Sequence, residues 1–229
     1  MSMKLKSSLA AAAVLGIAGL GLWGLKAQDR SLPLTPITPA AAQDSTAPAA
    51  PAEAIEIKDM TLGKEDAPVT LIEYASFTCP HCANFHASVF KNLKADYIDT
   101  GKVKFVYREV YFDRYGLWAA MTARCGGEMK YFGISDILYD TQQEWAASDD
   151  PNVVVGNLKK IGRTAGMDDA TLDACLQNGP MAQAMVDHFE AGMKEYDVKG
   201  TPTLVINGTV HPNMSYADLK AILDAELAK

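Results

Sequence analysis

The chain has 229 residues, enough for one or two domains. Hydrophobic residues make up 48% and charged residues 21%, which excludes a wholly disordered or collagen-like chain. The formal net charge is −7, with 21 Lys and Arg against 28 Asp and Glu, so no nucleic-acid partner is expected: that role calls for a basic face.

The N-terminus reads as a targeting segment over residues 1–30. Lys4 and Lys6 precede an uncharged run from Leu9 to Leu25, and Lys26 closes it. This pattern fits a secretory signal peptide or an uncleaved signal-anchor, with residues 8–25 as the possible tether to the inner membrane. Both imply translocation. Residues 31–54 carry Pro33, Pro36, Pro39, Pro48 and Pro51 among Ala, Ser, Thr and Gln. Such a stretch buries too little apolar surface to offset its ordering entropy and is expected to be a disordered linker. The folded domain is placed at 55–229, with no internal repeat. The first 54 residues hold four Lys or Arg and three Asp or Glu, which leaves the folded part at −8.

Pro68–Ala75 is an apolar, β-branched run and predicts a buried strand. Phe85, Val89, Phe90 and Leu93 keep helical spacing after Cys82. Val103–Tyr107 predicts a second strand and Thr203–Ile206 a third; Asn207-Gly208 then offers a type I′ turn into a short fourth strand at Thr209-Val210. The segment between, about 113–197, reads as almost wholly helical. Pro151 and Pro180 sit where first-turn prolines belong, and Gly126-Gly127, Gly166 and Gly179 punctuate it. Val186, Phe189 and Met193 form an apolar stripe there. Ser215 is placed to cap a last helix carrying Leu219, Ile222, Leu223 and Leu227. The result is an α/β sheet domain with a helical insertion.

The chemistry concentrates at Cys79-Pro80-His81-Cys82. Cysteines at i and i+3 in the first turn of a helix face the same way and can close a small disulfide ring. The helix N-terminus stabilises an anion, lowers the thiol pKa and makes Cys79 the expected nucleophile. Cys82, one turn deeper, is the expected resolving partner. Pro80 costs no helix hydrogen bond in the first turn. His81 adds a donor near the sulfurs, which favours the reduced form and hence an oxidising disulfide. A C-x-x-C pair is also half of a zinc site, and Cys79, Cys82 and His86 have ligand spacing, but a second ligand pair is not evident. No metal is expected. His86 is read as an exposed residue of the helix surface.

Residues 73–86, Glu-Tyr-Ala-Ser-Phe-Thr-Cys-Pro-His-Cys-Ala-Asn-Phe-His, resemble the active-site segment of the DsbA family of thioredoxin-fold proteins, and most of all its alphaproteobacterial members. Gly200-Thr201-Pro202-Thr203 resembles the family's cis-proline loop. The resemblance covers about residues 56–229. It implies a thioredoxin fold with an inserted helical domain, and a periplasmic thiol:disulfide oxidoreductase acting through the Cys79–Cys82 disulfide with no other cofactor. It implies that Thr201 and cis-Pro202 flank the sulfurs and bind an extended substrate peptide. It also implies that Glu73, six residues before Cys79, is a buried proton acceptor for Cys82. A lysine partner for Glu73 is not clear: Lys104 and Arg108 lie on the neighbouring strand. The partners implied are reduced exported proteins and a quinone-linked membrane protein as reoxidant, with the chain itself a monomer.

Cys125 and Cys175 both fall in the helical insertion. In an oxidising compartment they are expected to pair as a structural disulfide closing a loop of about 50 residues, worth roughly 4 kcal/mol by chain entropy. The alternative is two buried free thiols. Donation of disulfides is favoured over isomerase or reductase action on the same fold, and over a redox-inactive exported binding domain. Thr before Pro202, as in several isomerase-like relatives, leaves the direction open.

Overall fold

The computed structural model describes residues 55–229. The expected targeting run, tether and linker lie outside the described residues.

The elements run β1 (Met60–Leu62), β2 (Val69–Ala75), α1 (Pro80–Phe85), α2 (Lys91–Leu93), β3 (Val103–Glu109), α3 (Arg114–Cys125), α4 (Glu128–Asp140), α5 (Gln142–Trp145), α6 (Pro151–Thr164), α7 (Asp169–Leu176), α8 (Gly179–Glu195), β4 (Thr203–Ile206), β5 (Thr209–Pro212) and α9 (Tyr216–Leu227). Wider π-helical turns at His86–Phe90 and Lys94–Ile98 join α1 and α2 into one helical run from Pro80 to Ile98. The five strands make one sheet in the order β1-β3-β2-β4-β5. β2 and β3 are parallel; the other pairs are antiparallel. The order strand, helix, strand, helical block, hairpin and helix is the one expected. The short β1 was not foreseen: three residues are too few to show a period.

β2 is the central strand, buried on both faces, which explains its near-continuous apolar composition. Val69, Leu71, Glu73 and Ala75 share one face, because side chains alternate along a strand. On that face lie the helix after Cys79, the insertion as far as the first turns of α8, and Leu219 and Leu223 of α9. The opposite face carries Ile72, Tyr74, Val106 and Val205, covered by Phe189 and Met193 of α8. The turn at Asn207-Gly208 has positive φ at both residues, 45° and 84°, so the pair serves the tight hairpin. Asn207 Oδ1 also accepts from the Thr70 N–H at 3.0 Å, which fixes that turn to β2.

Capping explains where the helices start. Asp113, Asp150, Asp168, Asn178 and Ser215 each accept a hydrogen bond from a first-turn N–H. Gly127, at φ 73°, separates α3 from α4. Two devices tie the insertion together and to the sheet. A disulfide joins Cys125 at the end of α3 to Cys175 in α7, with Cα atoms 6.0 Å apart. Arg124 forms a two-pronged ion pair with Glu109 of β3, at 2.7 and 2.5 Å, and both side chains are buried. Tyr131 Oη donates to the same carboxylate at 2.8 Å, and Arg124 donates to the Lys58 carbonyl at 3.0 Å.

Removing one partner of a buried ion pair strands the other charge. Arg124→Met is therefore expected to cost about 3–5 kcal/mol in urea unfolding, and Arg124→Met with Glu109→Leu less than the single change. A double variant as unstable as the single one contradicts this account.

Candidate active site

The site lies where the end of β2, the start of α1 and the start of β4 converge. β2 runs into the Ser76-Phe77-Thr78 loop, and Cys79 stands as N-cap of α1 with extended backbone, φ −84° and ψ 118°. Its N–H donates to the Ser76 carbonyl at 3.1 Å, and its own carbonyl accepts from the Cys82 and Ala83 N–H groups at 3.1 and 3.2 Å. Pro80 opens the helix, where no intrahelical bond is lost. β4 pairs antiparallel with β2, placing Thr203 opposite Tyr74. That register delivers the Thr201-Pro202 peptide, which is cis, to the sulfurs. The Cys79 thiol points at the Thr201 carbonyl, 3.6 Å away. Pro202 is buried; the Thr201 hydroxyl oxygen is buried with no hydrogen-bond partner among the described residues.

The two cysteines are free thiols in very different surroundings. Cys79 is partly exposed and Cys82 wholly buried. Interaction with Cys82 is the largest influence on the Cys79 thiol; Thr201 and the Cys82 and His81 backbone N–H groups add to it, against desolvation, and the pKa falls from 9.0 to about 5. Burial first, then Cys79 and the charge of Glu73, push the Cys82 thiol far up. The His81 backbone N–H is thus among the groups that bear on the Cys79 thiol, and the residue is exposed.

Around this pair are residues that the sequence reading missed. Gln142 of α5 is buried and donates from Nε2 to the Phe77 carbonyl at 2.8 Å and to the Cys79 carbonyl at 3.0 Å, clamping the loop from the insertion side. Asp113 caps α3 and also accepts from the Thr78 hydroxyl at 2.7 Å. A groove of about 340 Å³ runs beside α1, lined by Pro80, Asn84, Ala87, Tyr139 and Gln142 among others.

The exposed placement of His86 is wrong. His86 is buried at 4% exposure, with Nε2 3.1 Å from Glu73 Oε2. Its ring stacks on Tyr139, centroids 4.1 Å apart, and the Tyr139 and Tyr107 hydroxyls meet at 2.5 Å. The signal was available: Cys82, Phe85, His86, Val89, Phe90 and Leu93 follow one helical stripe. A polar side chain in that stripe needs a buried partner, and Glu73 is it. Glu73 is fully buried, as expected of a strand residue facing the helix. Neither strand cation reaches it. Lys104 pairs with Glu65, and Arg108 with Asp59 and Glu195.

Comparison with known proteins gives a consistent result. The family model described as "Thioredoxin" matches residues 56–225. A "Putative protein-disulfide oxidoreductase" of Rickettsia bellii is 33% identical over 171 residues, covering 74% of this chain and 65% of that protein. The chain thus spans just under two thirds of that relative's length. "Disulfide bond formation protein D" of Bacillus subtilis is 29% identical over 177 residues, covering 72% of this chain and 76% of that one. Among solved structures, Wolbachia pipientis alpha-DsbA1 superposes with a TM-score of 0.69 at 25% identity, over 77% of this chain and 94% of that one. A partly exposed and a buried cysteine at a helix start, a cis-proline loop and a helical insertion thus stand in a chain similar to disulfide oxidoreductases and to a DsbA structure, and with the family model matching most of its length, the chain belongs to the thioredoxin family.

Proposed function

We propose that the chain is a thiol:disulfide oxidoreductase that donates the Cys79–Cys82 disulfide to reduced exported proteins. The observation that carries this reading is the asymmetry of the pair: Cys79 accessible with its thiol at about 5, Cys82 dry and pushed far up. A substrate thiolate attacks Cys79 Sγ of the oxidised pair, and Cys82 leaves and takes up a proton. A second substrate thiolate then attacks the substrate sulfur of the mixed disulfide and expels Cys79 as a thiolate. Two electrons pass from the substrate dithiol to the pair. A thiolate with so low a pKa is a good leaving group, so the second step is fast and the reduced form is favoured. Backbone of Thr201, beside the cis-proline, is placed to pair with the substrate chain while it is attached. The groove along α1 offers room for its flanking residues.

Export rests on residues 1–30, and the Cys125–Cys175 disulfide supports an oxidising compartment. The reading places the protein in the periplasm, as a monomer, with a tether at residues 8–25 if the leader is retained. Turnover needs a reoxidant, and a quinone-linked membrane protein is the one the family resemblance suggests. Oxidation is preferred over isomerisation or reduction because the low Cys79 pKa stabilises the dithiol.

Equilibration of the full-length protein in glutathione buffers, with alkylation read for each cysteine, tests the direction. The expected potential of the Cys79–Cys82 couple lies toward about −120 mV, the reference value of DsbA itself; a value near −270 mV, that of thioredoxin, contradicts it. Cys82→Ser, with Cys79 first charged as its mixed disulfide with glutathione, is expected to accumulate mixed disulfides with reduced exported proteins, a substrate thiolate attacking Cys79 Sγ and expelling glutathione thiolate; no trapped species would point to a redox-inactive binding domain. The pH dependence has a fixed sign. The folded Cys79 pKa lies below its unfolded value, so the reduced form gains stability over the oxidised form as pH rises from about 5 toward 9. Above that, the raised Cys82 works in the opposite sense. Melting temperatures of the two forms across this range should diverge; parallel curves contradict the asymmetry.

A further inference from the structure

Two buried carboxylates on the sheet are treated very differently. Glu109 has Arg124 and Tyr131. Glu73 has only His86 among the described residues: Oε2 lies 3.1 Å from His86 Nε2, while Oε1 is buried with no partner among them. His86 stands four residues beyond Cys82 on the same helical run, one turn along the inward stripe. Its ring is held on three sides. Tyr139 stacks at 4.1 Å and 23°, Phe90 lies at 4.6 Å, and Tyr107 presents an edge at 6.0 Å. With Glu73 ionised, Nε2 must be the donor, and the carboxylate is pinned through one oxygen with the other left free. Cys82 and Glu73 are both fully buried, and the Glu73 charge, after burial and Cys79, helps push the Cys82 thiol up.

We propose that His86 is a positioning residue for the step at Cys82: it fixes Glu73 so that the unpartnered oxygen receives the Cys82 proton. This rests on the oxidoreductase reading, since it needs Cys82 to change protonation during turnover. With oxidised glutathione as probe, the reduced protein reacts in two steps. The Cys79 thiolate attacks glutathione disulfide and releases one glutathione thiolate. Cys82 then gives its proton to Glu73 and attacks Cys79 Sγ, releasing the second glutathione thiolate and closing the ring. The groups facing His86 are Glu73 from β2, Tyr107 from β3, Tyr139 from α4 and Phe90 from its own helical run, with Asp136 of α4 within electrostatic reach. Losing the imidazole donor leaves the carboxylate unheld beside the helix, so the proton transfer of the second step slows.

The test is rapid acid quench and mass spectrometry of the full-length protein with oxidised glutathione, following the Cys79–glutathione mixed disulfide. His86→Phe keeps the aromatic packing and removes the donor. It is expected to slow ring closure about tenfold and to alter its pH profile, with the first step at Cys79 unchanged. His86→Gln, which keeps a donor, should restore most of the rate. In a Glu73→Gln background His86→Phe should add nothing. Should His86→Phe fail to fold, His86→Asn, whose shorter amide falls short of Glu73, carries the same expectation. Ring closure at the wild-type rate and pH profile in these variants overturns the inference, as does a full His86→Phe effect in the Glu73→Gln background. Failure of the unaltered protein to form the ring at all overturns the oxidoreductase reading with it; a normal unaltered protein alongside unaffected variants overturns only the role of His86.

Discussion

The site depends on one contrast of environment across a single helical turn. Cys79 must stand at a helix start, where N–H groups are unpaired and solvent reaches the sulfur. Cys82, three residues on, must be in the dry interior. A helix start provides the first because its leading N–H groups have no intrahelical acceptors. The sheet provides the second: Cys82 belongs to the main core with Leu71 and Ala75 of β2, within reach of the Glu73 charge. Any device that holds the start of α1 in place therefore acts on both thiols together.

Three parts of the chain do the holding, and they come from distant points in the sequence. β2 feeds the loop directly. β4 brings Thr201 and Pro202 through its pairing with β2, so the Cys79 thiol meets the Thr201 carbonyl at 3.6 Å. The insertion contributes Gln142, whose amide group donates to two loop carbonyls, and Asp113, which receives the Thr78 hydroxyl while capping α3. The insertion is in turn fixed to the sheet by the Arg124–Glu109 pair and closed by the Cys125–Cys175 disulfide. The helical block is thus a wall of the active site as well as an addition to the fold.

What the sequence reveals follows from how local each feature is. β2, β3 and the β4–β5 hairpin were readable because β-branched runs and Asn-Gly carry their own structural preference. Cys79, Cys82 and Pro202 were readable as motifs. Gln142 was not, since its role is to reach carbonyls 63 and 65 positions away, and no local pattern marks such a contact. Arg124 meeting Glu109, and Lys104 and Arg108 turning away from Glu73, are likewise decided by tertiary packing. His86 is a different case. Its inward placement was written in the helical phase, and residue type was given more weight than position.

The most direct measurement is a pH titration of alkylation rate, resolved by cysteine, on the reduced full-length protein. The account predicts a Cys79 thiolate midpoint at about 5 and a Cys82 that stays unreactive through pH 9. Two thiols titrating together near 9.0, the ordinary value, would contradict it.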